Sequence, residues 1–154
     1  MTTAPARLWA YTLRLPNDPR APRVARGTVR GVLPLYGLEA LADSAELLTS
    51  ELVTNAVRHT RGPAALRLKG DGERMRIGVS DSDPHIPPPF DGSPGPCAGA
   101  TVPGVPEGGR GLTLVRLCAH EWGGFPLGDP ALGTQGKFLW CDLTLRREDF
   151  GIAA

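Results

Sequence analysis

Residues 82–111 hold eight prolines and seven glycines, half of a thirty-residue block, and no regular element can run through it. Proline lacks the N–H that a helix or an inner strand needs, and glycine loses more backbone freedom on being fixed than any other residue. The other 124 positions contain 21 of the two residues, only modestly above ordinary usage. The block divides the chain into a patterned stretch of 81 residues and a second one of 43. A segment this long without periodicity is a functional loop, a lid or an insert.

The first stretch alternates helical and extended patterns. Trp9 to Leu15 reads as a strand closed by Pro16, and Asn17-Asp18-Pro19 is turn chemistry. A helix is expected over 21–35, with Pro22 near its start and Gly37 as its stop. Val24, Ala25, Thr28, Val29, Val32 and Leu33 share one face of it, and Arg23, Arg26 and Arg30 the other. A second helix is predicted from Asp43, which with Glu46 forms a capping-box variant, to Arg61-Gly62-Pro63. Its apolar stripe is Leu47, Leu48, Leu52, Val53, Ala56 and Val57. Segments 64–69 and 74–80 then alternate as a hairpin through Gly70-Asp71-Gly72. Beyond the block, a helix is expected over 112–120, a short strand over 121–126 and a final strand over 138–145. The final strand alternates through Leu139, Cys141, Leu143 and Leu145.

Bulk chemistry removes several function classes. Seventeen basic residues face sixteen acidic ones, so the electrostatic footprint of a nucleic-acid binder is missing. Cys97, Cys118 and Cys141 are odd in number and form no CxxC pair, which reads as reduced structural thiols and not a disulfide framework or a zinc site. No apolar run reaches the length of a membrane span, and residues 1–16 lack the apolar block of a signal peptide, so a cytoplasmic protein is expected.

Three local features point to chemistry, and each also has a bland reading. Glu51, Asn55 and His59 recur every four residues along one edge of the second helix. That edge is either solvated, or a place where an amide oxygen binds a hard cation and a carboxylate orients a nucleophile. Asp81 continues the parity of Met75, Ile77 and Val79, so a carboxylate leaves the strand on the core side. Burying it is costly unless a partner satisfies it, and a ligand is one such partner. Gly108-Gly109-Arg110-Gly111 runs straight into a helix, which makes either a flexible joint or a backbone cradle for an anion. The phosphate-loop and dinucleotide-binding patterns and the protein-kinase loop motifs are absent.

In their order along the chain these features resemble the GHKL (Bergerat-fold) ATP-binding domains, and most of all the stand-alone anti-sigma-factor serine/threonine kinases and their small bacterial relatives. Ser50-Glu51-Leu52-Val53-Thr54-Asn55-Ala56-Val57-Arg58-His59 matches the N box. Val79-Ser80-Asp81-Ser82 matches the G1 region, and Gly109-Arg110-Gly111-Leu112-Thr113-Leu114-Val115 the G2 region. Trp122-Gly123 and Gly136-Lys137-Phe138-Leu139-Trp140 also fit. Where many family members place glycines soon after the Asp, this chain has Ser82-Asp83-Pro84-His85.

The resemblance implies an α/β (α+β) two-layer sandwich, a mixed, mainly antiparallel sheet with helices on one face. It implies a single ATP-binding domain over 1–154 with a lid at about 82–110. Glu51 would be the general base. Asn55 would ligate Mg2+ on the ATP phosphates, Asp81 would read adenine, and His59, Gly109, Arg110, Gly111 and Leu112 would lie around the phosphate chain. The implied activity is phosphorylation of a STAS-type anti-sigma-factor antagonist, in a partner switch that reaches a sigma factor, with homodimerisation in keeping with the relatives. A module that binds ATP or sequesters a partner without turnover, and a detached histidine-kinase-like ATPase domain, are the competing readings.

Overall fold

The computed structural model describes residues 8–92 and 114–145. The chain order is β1 (Leu8–Leu15), α1 (Ala21–Val32), α2 (Ala42–His59), β2 (Ala64–Asp71), β3 (Arg74–Asp81), α3 (Leu114–Cys118), β4 (Glu121–Leu127) and β5 (Gly136–Thr144). Short 3-10 turns at Leu33–Tyr36 and Glu39–Leu41 link α1 to α2. The five strands form one sheet in the order β1-β2-β3-β5-β4, and all four pairings are antiparallel. The parallel component of a mixed sheet therefore does not occur among the described strands.

Register aligns the apolar sets. Leu66, Val79 and Leu139 pair in one row across the sheet, Leu68, Ile77 and Cys141 in the next, and Met75 with Leu143 in a third. All eight are buried, on the face that the helices cover. From α1 come Ala25 and Val29, from the 3-10 turn after it Leu33, and from α2 come Ala45, Leu48, Leu52, Val53 and Ala56. Burial of this kind is the main favourable term in folding. The opposite face is more polar. There Arg76 pairs side-on with Asp142 at 2.7 and 2.9 Å, and its guanidinium lies 4.0 Å from the Trp140 ring centre.

Local physics explains two departures from the sequence expectation. Val24 is 54% exposed, because the stripe of α1 centres on Ala21, Ala25, Val29 and Val32 and leaves Val24 beyond its edge. The Asp43–Glu46 capping box does not form. The preceding 3-10 turn runs directly into α2, so Asp43 falls within the first helical turn, and no side chain caps Leu41. Glu46 instead meets Arg30 of α1 at 3.1 Å. Gly37 does stop the first helical segment, at a left-handed φ of 73°, with the Leu38 N–H reaching back to the Leu33 carbonyl at 3.0 Å.

Candidate functional site

The end of α2 and the end of β3 meet at one end of the sheet. Helix α2 finishes at His59, and after a short turn β2 starts at Ala64. Ala65 pairs with Ser80, so the last residues of β3 lie beside the exit of α2. Contact in this corner is close, since a Cβ added at Gly62 would come within 3.4 Å of Ser82 Oγ. The C-terminal half of α2 and Asp81 therefore converge, although they are far apart in sequence. Asn17 fixes this end of the helix by donating from Nδ2 to the carbonyls of Val57 at 3.2 Å and Thr60 at 2.7 Å. Those carbonyls are among the acceptors that a helix C-terminus leaves unpaired.

On α2, Glu51 and Asn55 are both half-buried, one helical turn apart, and His59 is exposed. Burial raises the Glu51 carboxyl above its ordinary value, and the nearby Arg58 only partly offsets this. Such a shift makes the carboxylate a stronger base than a solvated one. Among the described residues the Asn55 Oδ1 atom is buried without a hydrogen-bond partner. Most buried polar atoms find a partner, and an amide oxygen left over is the kind of ligand Mg2+ takes. No group of three or more His, Cys, Asp and Glu that could hold a metal occurs among the described residues. A cation here would draw its other ligands from phosphate and water.

Asp81 ends β3 with its side chain 2% exposed, and its partner comes from the matching segment Gly136-Lys137-Phe138-Leu139-Trp140, to which the resemblance assigns no site role. Lys137 stands directly opposite it in the β3–β5 register, itself 1% exposed. The ammonium lies 3.0 Å from Oδ1 and 2.9 Å from Oδ2. Lys137 also donates to the Asp83 carbonyl at 3.3 Å and lies 3.6 Å from its carboxylate, while the Asp83 N–H donates to Asp81 Oδ1 at 2.9 Å. Burial pushes the Asp83 carboxyl up, but the His85 N–H and the Lys137 charge outweigh it, and the group ends below its ordinary value. Gly136 permits this approach of β5, because a Cβ there would meet the Asp81 carbonyl oxygen. The sequence does contain a signal for Lys137. It shares the parity of Leu139, Cys141 and Leu143, a lone charge on an apolar face, as Asp81 is on β3.

Gly109, Arg110, Gly111 and Leu112 lie outside the described residues, as does most of the expected lid. Of its first part, Phe90 is 3% exposed and Ile86 packs against the core. Two cavities, of about 560 and 590 Å3, lie elsewhere, one over the outer face near Lys69 and Arg74 and one between Ser44, Arg116 and Thr144. Glu51, Asn55 and Asp81 line neither of these two. Among the described residues no helix is long and apolar enough to cross a membrane.

The family model for the histidine kinase-like ATPase domain matches residues 15–122, which include Glu51, Asn55, His59 and Asp81. An uncharacterised protein of Streptomyces coelicolor is 40% identical over 83 residues, covering 52% of this chain and 71% of that protein.

Proposed function

The chain belongs to the histidine kinase-like ATPase domain family, and from that premise we propose that it is an ATP-dependent serine/threonine protein kinase of the anti-sigma-factor type. The observation that carries the proposal is the Asn55 Oδ1, buried without a hydrogen-bond partner among the described residues, one helical turn from the half-buried Glu51, whose carboxyl burial raises above its ordinary value. Asn55 would hold Mg2+, which when bound neutralises charge on the ATP phosphates. Glu51 would take the proton of the attacking Ser or Thr hydroxyl as its oxygen bonds to the γ-phosphorus and the bond to ADP breaks. Asp81 would accept from the exocyclic amine of adenine. His59, Gly109, Arg110, Gly111 and Leu112 would border the phosphates. The phosphoryl acceptor would be a STAS-type antagonist of an anti-sigma factor, and the domain would also engage a sigma factor in the cytoplasm.

Titration calorimetry with ATP, with and without Mg2+, tests the binding half. Wild type is expected to bind, and Asn55→Ala to lose the Mg2+-dependent part of the affinity while remaining folded. Phosphosite mapping of proteins captured from the native cell with ATP tests the transfer half. The proposal predicts a phosphorylated Ser or Thr on a captured partner with wild type and none with Glu51→Gln. Binding of ATP with no transfer to any captured partner would replace the kinase by a non-catalytic module.

A further inference from the structure

The pairing of Asp81 with Lys137 has consequences for base recognition. An ionised carboxylate offers about four acceptor positions. On Oδ1 one faces the Lys137 ammonium at 3.0 Å and another the Asp83 N–H at 2.9 Å. On Oδ2 one faces the same ammonium at 2.9 Å. Among the described residues, one position on Oδ2 is left. Lys137 has only donors, and these turn inward to Asp81 and to the Asp83 carbonyl at 3.3 Å. Both side chains are at least nine-tenths buried, on the face of the sheet that the helices cover, and neither can swing into solvent.

We propose that Lys137 is a positioning residue that sets base specificity: it fixes which edge of the Asp81 carboxylate meets the base and leaves a single acceptor there for an exocyclic amine. The inference rests on the nucleotide reading above and adds a residue to it. With Lys137 in place, a 6-aminopurine finds an acceptor, whereas a 6-oxopurine brings its oxygen against a carboxylate oxygen. The arrangement also dictates what an amide would do in the Asp81→Asn variant. The amide could satisfy both Lys137 and the Asp83 N–H only by putting its oxygen where Oδ1 now lies. Its N–H2 would then replace Oδ2, now 2.9 Å from the ammonium. Lys137 would draw back toward the amide oxygen and the Asp83 carbonyl, while the N–H2 faces the base and donates to a 6-oxo group. Without the ammonium, the Asp83 N–H alone would favour that orientation, and more weakly.

The experiment compares ATP with inosine triphosphate, each with Mg2+, by titration calorimetry. Wild type is expected to prefer ATP by about tenfold or more. Asp81→Asn is expected to reverse the preference, and the double variant Asp81→Asn/Lys137→Met to bring the two nucleotides within about threefold of each other. The double variant removes both charges of the pair and leaves neither unbalanced. A loss of rigidity alone would weaken both nucleotides together, so the ratio separates positioning from general support. The same ratio in Asp81→Asn and in the double variant would overturn the role of Lys137. Should Asp81→Asn bind neither nucleotide, Lys137→Met is read instead, at a temperature below its melting transition: a ratio within about threefold supports the proposal, and an undiminished preference for ATP overturns it. Wild type that binds neither nucleotide would overturn the nucleotide reading and this inference with it. Wild type that prefers ATP, with unchanged ratios in the variants, would overturn this inference alone.

Discussion

Removing Lys137 tests the structure where its electrostatics are most demanding. In Lys137→Met, Asp81 stays buried with the Asp83 N–H, at 2.9 Å, as its one remaining donor among the described residues. Breaking a buried pair from one side costs about 3–5 kcal/mol, because a charge is left without compensation. Asp81→Asn should cost less, on the order of 2 kcal/mol, since hydrogen bonds to a charged group are worth about that much. The ammonium still has the Asp83 carbonyl at 3.3 Å and the Asp83 carboxylate at 3.6 Å. Replacing both partners by neutral groups is often close to neutral. The double variant should therefore be more stable than Lys137→Met, with a coupling of about 3 kcal/mol or more, where independent sites add to within about 0.5 kcal/mol. Urea denaturation of the four proteins measures the cycle. In a domain of this size 1 kcal/mol moves the melting temperature by about 2–4 °C, so Lys137→Met should melt on the order of 10 °C below wild type. Additive losses in the two single variants would mean that the pair does not exist in solution, and the base-reading geometry would fall with it.

Three further outcomes follow from other parts of the fold. Glu51→Gln should raise the melting temperature at pH 7. Burial lifts the folded-state Glu51 carboxyl above 4.5, so its ionisation at neutral pH opposes folding, and the gain should vanish below about pH 4. An equal gain at pH 3.5 and pH 7 would contradict that account. Asn17→Ala removes two hydrogen bonds from the last carbonyls of α2 and should cost about 1 kcal/mol in urea denaturation. Unchanged stability would show that Asn17 does not hold that helix end. Burial, with Asp142 and Cys118 adding to it, pushes the Cys141 thiol up to about 12. Under native conditions iodoacetamide should alkylate the partly exposed Cys118 and spare Cys141. Equal labelling by peptide mass spectrometry would refute the buried placement.

Local periodicity and punctuation were enough to read the element types. Positions 3 and 4 apart along α2 and 2 apart along β3 are set by backbone geometry, which no distant residue can alter. The edge carrying Glu51 and Asn55 was legible for that reason, as was the inward direction of Asp81. The start of α2 was not, because a 3-10 turn entering from Glu39–Leu41 took over the role given to Asp43. The ordering of Gly109, Arg110, Gly111 and Leu112 around an anion was likewise read from sequence, and it lies outside the described residues.

What the sequence determined by itself was therefore the list of elements, the face each buries, and a carboxylate committed to the interior. What satisfies that carboxylate was decided only in three dimensions. Lys137 is 56 residues away from Asp81, and β4 lies between their strands in the chain. In the sheet β5 inserts beside β3 and displaces β4 to the edge. Strand order and register depend on how the whole apolar surface is best buried, a sum over the sheet that no local window contains. That sum placed a lysine across from Asp81, and so gave the buried carboxylate its counter-charge.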